Sequence, residues 1–110
     1  MTRAIIVRRW EASNDEPLTE AAVRTRYASE KYRVSVSRYP AGTKLTGSTR
    51  QAICHVLNGV GRYEFESEVT IRCGDVAEFP GGQYSLEVMG DDEFVVIKCW
   101  ELPFEFNRVQ

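Results

Sequence analysis

The chain has few of the residues and patterns that point most directly to a function. Its 110 residues include one histidine and three cysteines, without the CxxC or Cys/His spacing that is typical of a soft-metal site. The net charge is −2, which argues against the basic surface of a nucleic-acid-binding protein. No apolar run approaches the roughly 20 residues that a transmembrane helix needs. The sequence therefore lacks the strongest signals for zinc binding, nucleic-acid binding and membrane insertion.

The composition is typical of one globular domain. Hydrophobic residues make up 43% of the chain and charged residues 27%, which are ordinary values for such a domain. A chain of 110 residues is long enough to bury one core without disulfides. The start, MTRAIIVRRW, becomes charged too soon for a signal peptide, and an odd number of cysteines fits reduced thiols. We expect a single domain over residues 1–110 in the cytoplasm, with neither nucleic acid nor a membrane as a partner.

Alternating apolar and polar residues with regular turn signals predict an all-β domain. Residues 1–30 are expected to hold one strand over residues 4–8, followed by a short helix or a loop over residues 13–30. Ser13 and Glu16 are spaced as a capping box, and Pro17 would lie in the first turn of that helix. The core of the domain is expected over residues 31–101, with a tail over residues 102–110.

Turn residues divide the predicted core. Pro40, Gly42 and Gly47 indicate a loop after the strand that starts at residue 32. Asn58 and Gly59 follow a strand over residues 51–57 and are typical of a hairpin turn.

The last predicted strand, residues 94–100, is apolar at nearly every position except Lys98. A strand of this kind is buried on both faces and needs cover on both. The tail adds two further aromatic residues, Phe104 and Phe106. Because exposed apolar patches usually mark contacts, we expect the last strand and the tail to form a homodimer interface. The alternative is that the tail covers the end of its own subunit.

Three segments, YPAGTKL, AICHVLNGVGRYEF and CGDVAEFPGGQYSLEV, together resemble the cupin family. Gly74, Pro80 and Gly82 match the spacing of the second cupin motif, and Gly59 matches the glycine that closes the first. The resemblance covers about half of the chain. It implies an all-β fold, the cupin-type jelly-roll β-barrel of two antiparallel sheets. Cupins usually hold a metal on three histidines and one glutamate.

The cupin metal ligands are missing from their expected positions in this sequence. Ala52 stands where the resemblance places the glutamate, and residues 46–50 contain no histidine. The last histidine position falls on Ser85 by direct count, or on Tyr84 if one residue is deleted before Gln83. Strand alternation favours Tyr84, because Tyr84 and Leu86 would then point inward. We therefore expect no metal and no other cofactor.

The candidate ligand-binding residues line the expected barrel interior: Tyr84, Cys54, Ala52, Arg50 and Leu86. The Tyr84 hydroxyl could bind a ligand, or its ring could fill the space of the metal. Cys54 is either a small buried apolar residue or a thiol activated by Arg50 or Lys98. Arg50 is either an anion clamp at the barrel rim or a solvated loop residue.

His55, the only histidine, alternates with Cys54 and is expected to point away from the barrel interior. We expect a satisfied or exposed imidazole there rather than a catalytic one.

Three functions are compatible with these residues. The first is a metal-free binding or accessory protein for a small polar molecule. The second is a metal-independent isomerase, lyase or cyclase, which needs an interior acid–base pair. We expect it less than the first function. The third is a homodimeric interaction or structural subunit. A filled barrel would favour the third, and polar groups converging near Tyr84 would favour the first or second.

Overall fold

The computed structural model describes residues 5–10, 17–28 and 31–101. Within these ranges lie, in chain order, β1 Ile6–Arg9, α1 Glu20–Arg26, β2 Tyr32–Tyr39, β3 Lys44–Thr49, β4 Ala52–Asn58, β5 Val60–Glu64, β6 Glu68–Arg72, β7 Asp75–Phe79, β8 Gly82–Met89 and β9 Phe94–Glu101.

Two antiparallel sheets form a jelly-roll β-barrel, which confirms the predicted fold class. The five-stranded sheet has the order β1-β7-β4-β9-β2, and the four-stranded sheet has the order β3-β8-β5-β6. The strand near the start of the chain thus lies at the edge of the larger sheet. No helix in the described ranges has the length and apolar character needed to cross a membrane.

The hydrophobic core lies between the two sheets and follows from strand alternation. In β8, Leu86 and Val88 are buried, whereas Ser85 and Glu87 line a cleft on the other side of the sheet. The buried residues of this core are Cys54, Val56, Tyr63, Ile71, Ala77, Phe79, Leu86, Val88, Phe94 and Val96.

Helix α1 covers the outer face of the larger sheet. The fully buried Val23 of α1 packs in one cluster with Ile97 and Cys99 of β9. Phe94 and Val96, which alternate with these residues, lie in the core between the sheets. The cover that β9 requires on both faces therefore comes from its own chain.

The helix starts later than the sequence predicts. Thr19 is the N-cap, and its hydroxyl accepts a hydrogen bond of 3.1 Å from the Ala22 backbone N–H. The expectation that Pro17 lies in the first turn is therefore wrong, because Pro17 precedes the N-cap. The predicted capping box of Ser13 and Glu16 lies outside the described residues.

Two turn predictions based on glycine are also wrong. Gly47 lies inside strand β3, opposite Tyr84 of β8, and not in a loop. A Cβ at Gly47 would lie 3.2 Å from the Tyr84 hydroxyl oxygen, so the glycine allows a close approach. Asn58 and Gly59 do not form a hairpin, because β4 and β5 belong to different sheets. Gly59 has a φ of +82°, and a Cβ there would collide with the Glu93 carbonyl.

Candidate functional site

The structure separates the five predicted site residues into an interior group and one surface residue. Ala52, Cys54 and Leu86 are buried, and Cys54 and Leu86 belong to the core between the sheets. Tyr84 is half-buried and packs against that core. Arg50 is exposed in the turn between β3 and β4, so its charge lies outside the core.

Aromatic rings fill much of the barrel interior around Tyr84. The Tyr63 ring centroid lies 4.7 Å from that of Phe79 and 5.6 Å from that of Tyr84. Phe65 packs 5.1 Å from Phe79 and 5.6 Å from Tyr84. The Tyr84 ring, at one of the two positions to which the resemblance assigns the last cupin histidine, therefore packs among aromatic rings.

The residues present do not fit the metal of the cupin motif. Ala52 has no donor atom, and Tyr84 offers a neutral phenol in place of an imidazole. Across the described ranges, no group of three or more His, Cys, Asp or Glu side chains is arranged to hold a metal ion.

The thiol of Cys54 stays protonated in this interior. Burial raises its pKa to about 12, although the nearby Lys98 acts in the opposite direction. A protonated thiol is a weak nucleophile, so Cys54 does not form an activated thiolate at neutral pH.

Lys98 is the charged side chain that reaches the core. On the inner face of β9 it is paired in register with Ser35 of β2 and with Cys54 of β4. Its ammonium Nζ lies 3.4 Å from the Tyr39 hydroxyl oxygen and 6.0 Å from the ring centroids of both Tyr39 and Tyr84. In the described part of the chain no carboxylate forms an ion pair with Lys98.

The ammonium of Lys98 is charged at neutral pH. Burial lowers its pKa, but the neighbouring Tyr39, Tyr84 and Cys54 side chains outweigh that effect, so the pKa is raised overall. The two aromatic faces supply cation–π attraction, which is worth about 0.5–2 kcal/mol depending on desolvation.

Tyr63 carries the least satisfied polar group of this interior. The residue is 1% exposed, and its hydroxyl has no hydrogen-bond partner among the described residues. Burial raises its pKa, and Cys54, Tyr39 and Tyr84 are close enough to add to the rise. The Tyr63 hydroxyl thus lies among the same side chains that surround Lys98. We name this group the Lys98 cluster: Lys98, Tyr39, Tyr63, Tyr84 and Cys54.

A shallow surface cleft is lined by one member of this group, Tyr84. The cleft has a volume of about 490 Å³ and is lined in part by Tyr84, Phe65 and Gly47. Tyr84 is therefore a member of the Lys98 cluster that also borders the cleft.

Neither Tyr39 nor Tyr63 was predicted from the sequence as a candidate ligand-binding residue. Tyr63 alternates with Phe65, which indicates only that both point to the same face of a strand. Lys98 interrupts an apolar strand, and that interruption was the usable signal for a functional side chain.

His55 lies on the opposite face of β4, away from the Lys98 cluster. Its ring packs against Trp10 at 5.9 Å and against Tyr27 at 5.7 Å between centroids. Burial lowers its pKa to about 4, and a hydrogen bond with the Ile97 backbone acts in the opposite direction. The imidazole Nδ1 has no partner among the described residues. His55 therefore belongs to the packing between the larger sheet and its cover.

Comparison with known proteins identifies the fold. No family model and no curated protein matches the chain. The structure is similar to the Cnp3 cupin domain of Schizosaccharomyces pombe, with a TM-score of 0.56 and 15% identity over 73% of this chain. The match spans 59% of that domain's own chain, which is less than two thirds.

Two bacterial structures are also similar. A cupin domain of Bordetella pertussis has a TM-score of 0.54 and 20% identity, with 68% of this chain and 85% of that chain covered. A DUF861 family protein of Thermotoga maritima has a TM-score of 0.58 and 13% identity, with 90% of this chain and 100% of that chain covered. At these identities the likeness concerns the fold alone, and the chain has a cupin-like fold.

Proposed function

We propose that this cupin-like protein binds a small polar molecule at the Lys98 cluster without catalysing a reaction. One observation carries the proposal: the buried Tyr63 hydroxyl has no partner in the described part of the chain, although it lies close to the group around a half-buried ammonium. A buried hydroxyl without a hydrogen bond costs about 1–3 kcal/mol. A ligand oxygen that accepts a hydrogen bond from Tyr63 would recover that cost.

The cluster favours binding over catalysis because burial keeps the Cys54 thiol and the Tyr63 phenol protonated at neutral pH. Burial raises the pKa of the Cys54 thiol to about 12 and also raises that of the Tyr63 phenol. General acid–base catalysis works best when a group has a pKa near the working pH. An isomerase, lyase or cyclase would need such a pair, and the Lys98 cluster does not supply one.

A homodimeric interaction or structural subunit is the second candidate function. The aromatic filling of the barrel supports it, as do Ile6 and Val7 on the edge strand β1, which are 53% and 40% exposed. The homodimer interface predicted for the last strand and the tail stays a prediction. Strand β9 has cover on both faces within the chain, and residues 102–110 lie outside the described residues.

The test of the binding proposal is a screen of small polar fragments by two-dimensional NMR. The fragments include cations, anions and neutral molecules, each added to the wild-type chain and to Tyr63→Phe. We expect at least one fragment to shift resonances of the Lys98 cluster and to lose this effect in Tyr63→Phe, while urea denaturation shows that the variant is at least as stable as the wild type, because it lacks the unpaired hydroxyl. Tyr32→Phe, at an exposed tyrosine of β2, is the matched control and should bind normally. Equal binding by Tyr63→Phe, or no fragment at the cluster, would overturn the proposal.

A further inference from the structure

The Lys98 cluster is rich in hydrogen-bond donors and poor in acceptors. An ammonium group has three donors and no acceptor, and each tyrosine contributes one O–H. The Lys98 ammonium donates to the Tyr39 hydroxyl oxygen, which leaves the Tyr39 O–H proton available. The Tyr63 O–H has no partner within residues 5–10, 17–28 and 31–101. A molecule that satisfies these groups has to bring acceptor oxygens.

Lys98 differs from the surface arginines in the groups that lie next to its charge. Arg8 pairs with Glu78 and Arg9 with Asp75, each at 2.7 Å. Lys98 has two aromatic ring faces in place of a carboxylate within the described residues. Ring faces attract a cation but leave its positive charge uncompensated, so the missing acceptor is expected to be an anion.

The surroundings of the cluster narrow the class of anion. One ammonium and two phenols match the two oxygens of a planar carboxylate, which can accept several hydrogen bonds. A phosphate dianion carries a second charge, for which the cluster has no second cation. The rings of Tyr84 and Phe65 border the cleft and offer an apolar surface for the remainder of the molecule.

We infer that the Lys98 cluster binds the carboxylate of a small monocarboxylic acid, with Lys98, Tyr39 and Tyr63 as donors and the Tyr84 ring beside an apolar tail. This inference rests on the proposed function and adds the chemical class of the ligand to it.

The experiment compares isobutyrate with isobutyramide, its neutral amide of nearly the same shape, and with inorganic phosphate. Each is titrated into the untagged full chain at constant ionic strength and followed by NMR shifts of the Lys98 cluster. We expect saturable binding of isobutyrate and at least about tenfold weaker binding of the amide and of phosphate. The reason is that the carboxylate forms charged hydrogen bonds with the cluster that the amide cannot form.

Two variants separate the charge from the hydroxyl. Lys98→Met keeps a long apolar side chain without the ammonium, and Tyr63→Phe removes one donor while keeping the ring. Each should weaken isobutyrate binding at least about tenfold. Lys44→Met removes an exposed lysine of β3 and should bind isobutyrate as the wild type does. If Lys98→Met does not fold, Tyr63→Phe alone tests whether isobutyrate binds at the Lys98 cluster.

The possible failures are distinguishable. Binding of isobutyramide as tight as that of isobutyrate, lost in Tyr63→Phe, would overturn the carboxylate inference and leave the proposed function standing. Preference for phosphate would also overturn the inference. Failure of every fragment, neutral or charged, to reach the cluster would overturn both.

Discussion

At the scale of single residues, burial decides which of the three thiols can react. Burial raises the pKa of Cys54 to about 12 and that of Cys99 to about 11. Cys73 is exposed, with its sulfur 3.2 Å from the Leu57 carbonyl oxygen. Thiolates, not thiols, attack disulfide reagents, so burial and the raised pKa values both protect Cys54 and Cys99.

We therefore predict that an aromatic disulfide reagent at pH 8 labels one thiol per native chain quickly. Cys73 should account for this fast phase, because Cys54 and Cys99 are both buried and protonated. All three cysteines should react in denaturant. Absorbance of the released thiolate gives the count. Cys73→Ser should abolish the fast phase, and a fast phase that survives in this variant would contradict the predicted protection of the other two.

Alternation was enough to predict the inward direction of several site residues, but not their hydrogen bonds. Leu86 and Cys54 lie in the core, as the period of two along their strands predicts. The unpaired state of the Tyr63 hydroxyl depends on side chains from other strands, among them Tyr39 of β2. Such neighbours become adjacent only when both sheets have formed, so no local pattern in the sequence indicates them.

At the scale of elements, the sequence of strand β9 likewise predicts burial without identifying the residues that pack against it. Its apolar sequence correctly indicates burial on both faces, but it does not say what supplies the cover. The cover on the outer face is α1, a helix of seven residues whose buried side chains are Ala22 and Val23. So short an apolar stripe is a weak signal in sequence, and a second subunit was an equally good expectation.

The packing of β4 under its cover predicts a specific loss of stability in acid. His55 has a pKa of about 4 in the folded chain, because burial disfavours its charged form, and about 6.5 when unfolded. Between these values the unfolded chain binds the proton and the folded chain does not. The free energy of unfolding should therefore fall as the pH drops from about 6.5 towards 4, by on the order of 3 kcal/mol in total.

The measurement is urea unfolding between pH 4.5 and 7.5 for the wild type and for His55→Leu. The variant replaces the imidazole by an apolar side chain that cannot gain charge, so its stability should depend less on pH. The difference between the two chains isolates His55 from the carboxylates, which also titrate in acid. Two curves with the same slope between pH 5 and 6.5 would show that His55 is not protonated preferentially on unfolding.

At the scale of the whole molecule, glycine and proline spacing was the most useful part of the sequence. Gly74 directly precedes β7, and Gly82 is the first residue of β8. Both have positive φ values, of 95° and 110°. Such positions favour glycine, so the spacing of these glycines indicates the backbone fold and not the presence of metal ligands. The fold was therefore predictable, whereas the interior chemistry had to be obtained from the assembled barrel.

The cupin metal site is itself a property of the whole barrel, since its expected positions come from β3, β4 and β8. In this chain those strands contribute residues 46–49, Ala52 and either Tyr84 or Ser85, which offer no imidazole and no carboxylate. We predict that the untagged protein, incubated with iron, manganese, nickel or zinc and then dialysed, retains less than about a tenth of an equivalent of metal per chain.

Elemental analysis by mass spectrometry makes this measurement, with a histidine-ligated metalloprotein taken through the same dialysis as the positive control. The expected result follows from donor chemistry, because a neutral phenol and a protonated thiol bind these ions poorly compared with imidazole and carboxylate. Nearly one equivalent of metal that resists dialysis would contradict the prediction. Loss of that metal in Cys54→Ser or Tyr84→Phe would then place an unconventional site at the Lys98 cluster and remove the basis for a positively charged, anion-binding interior.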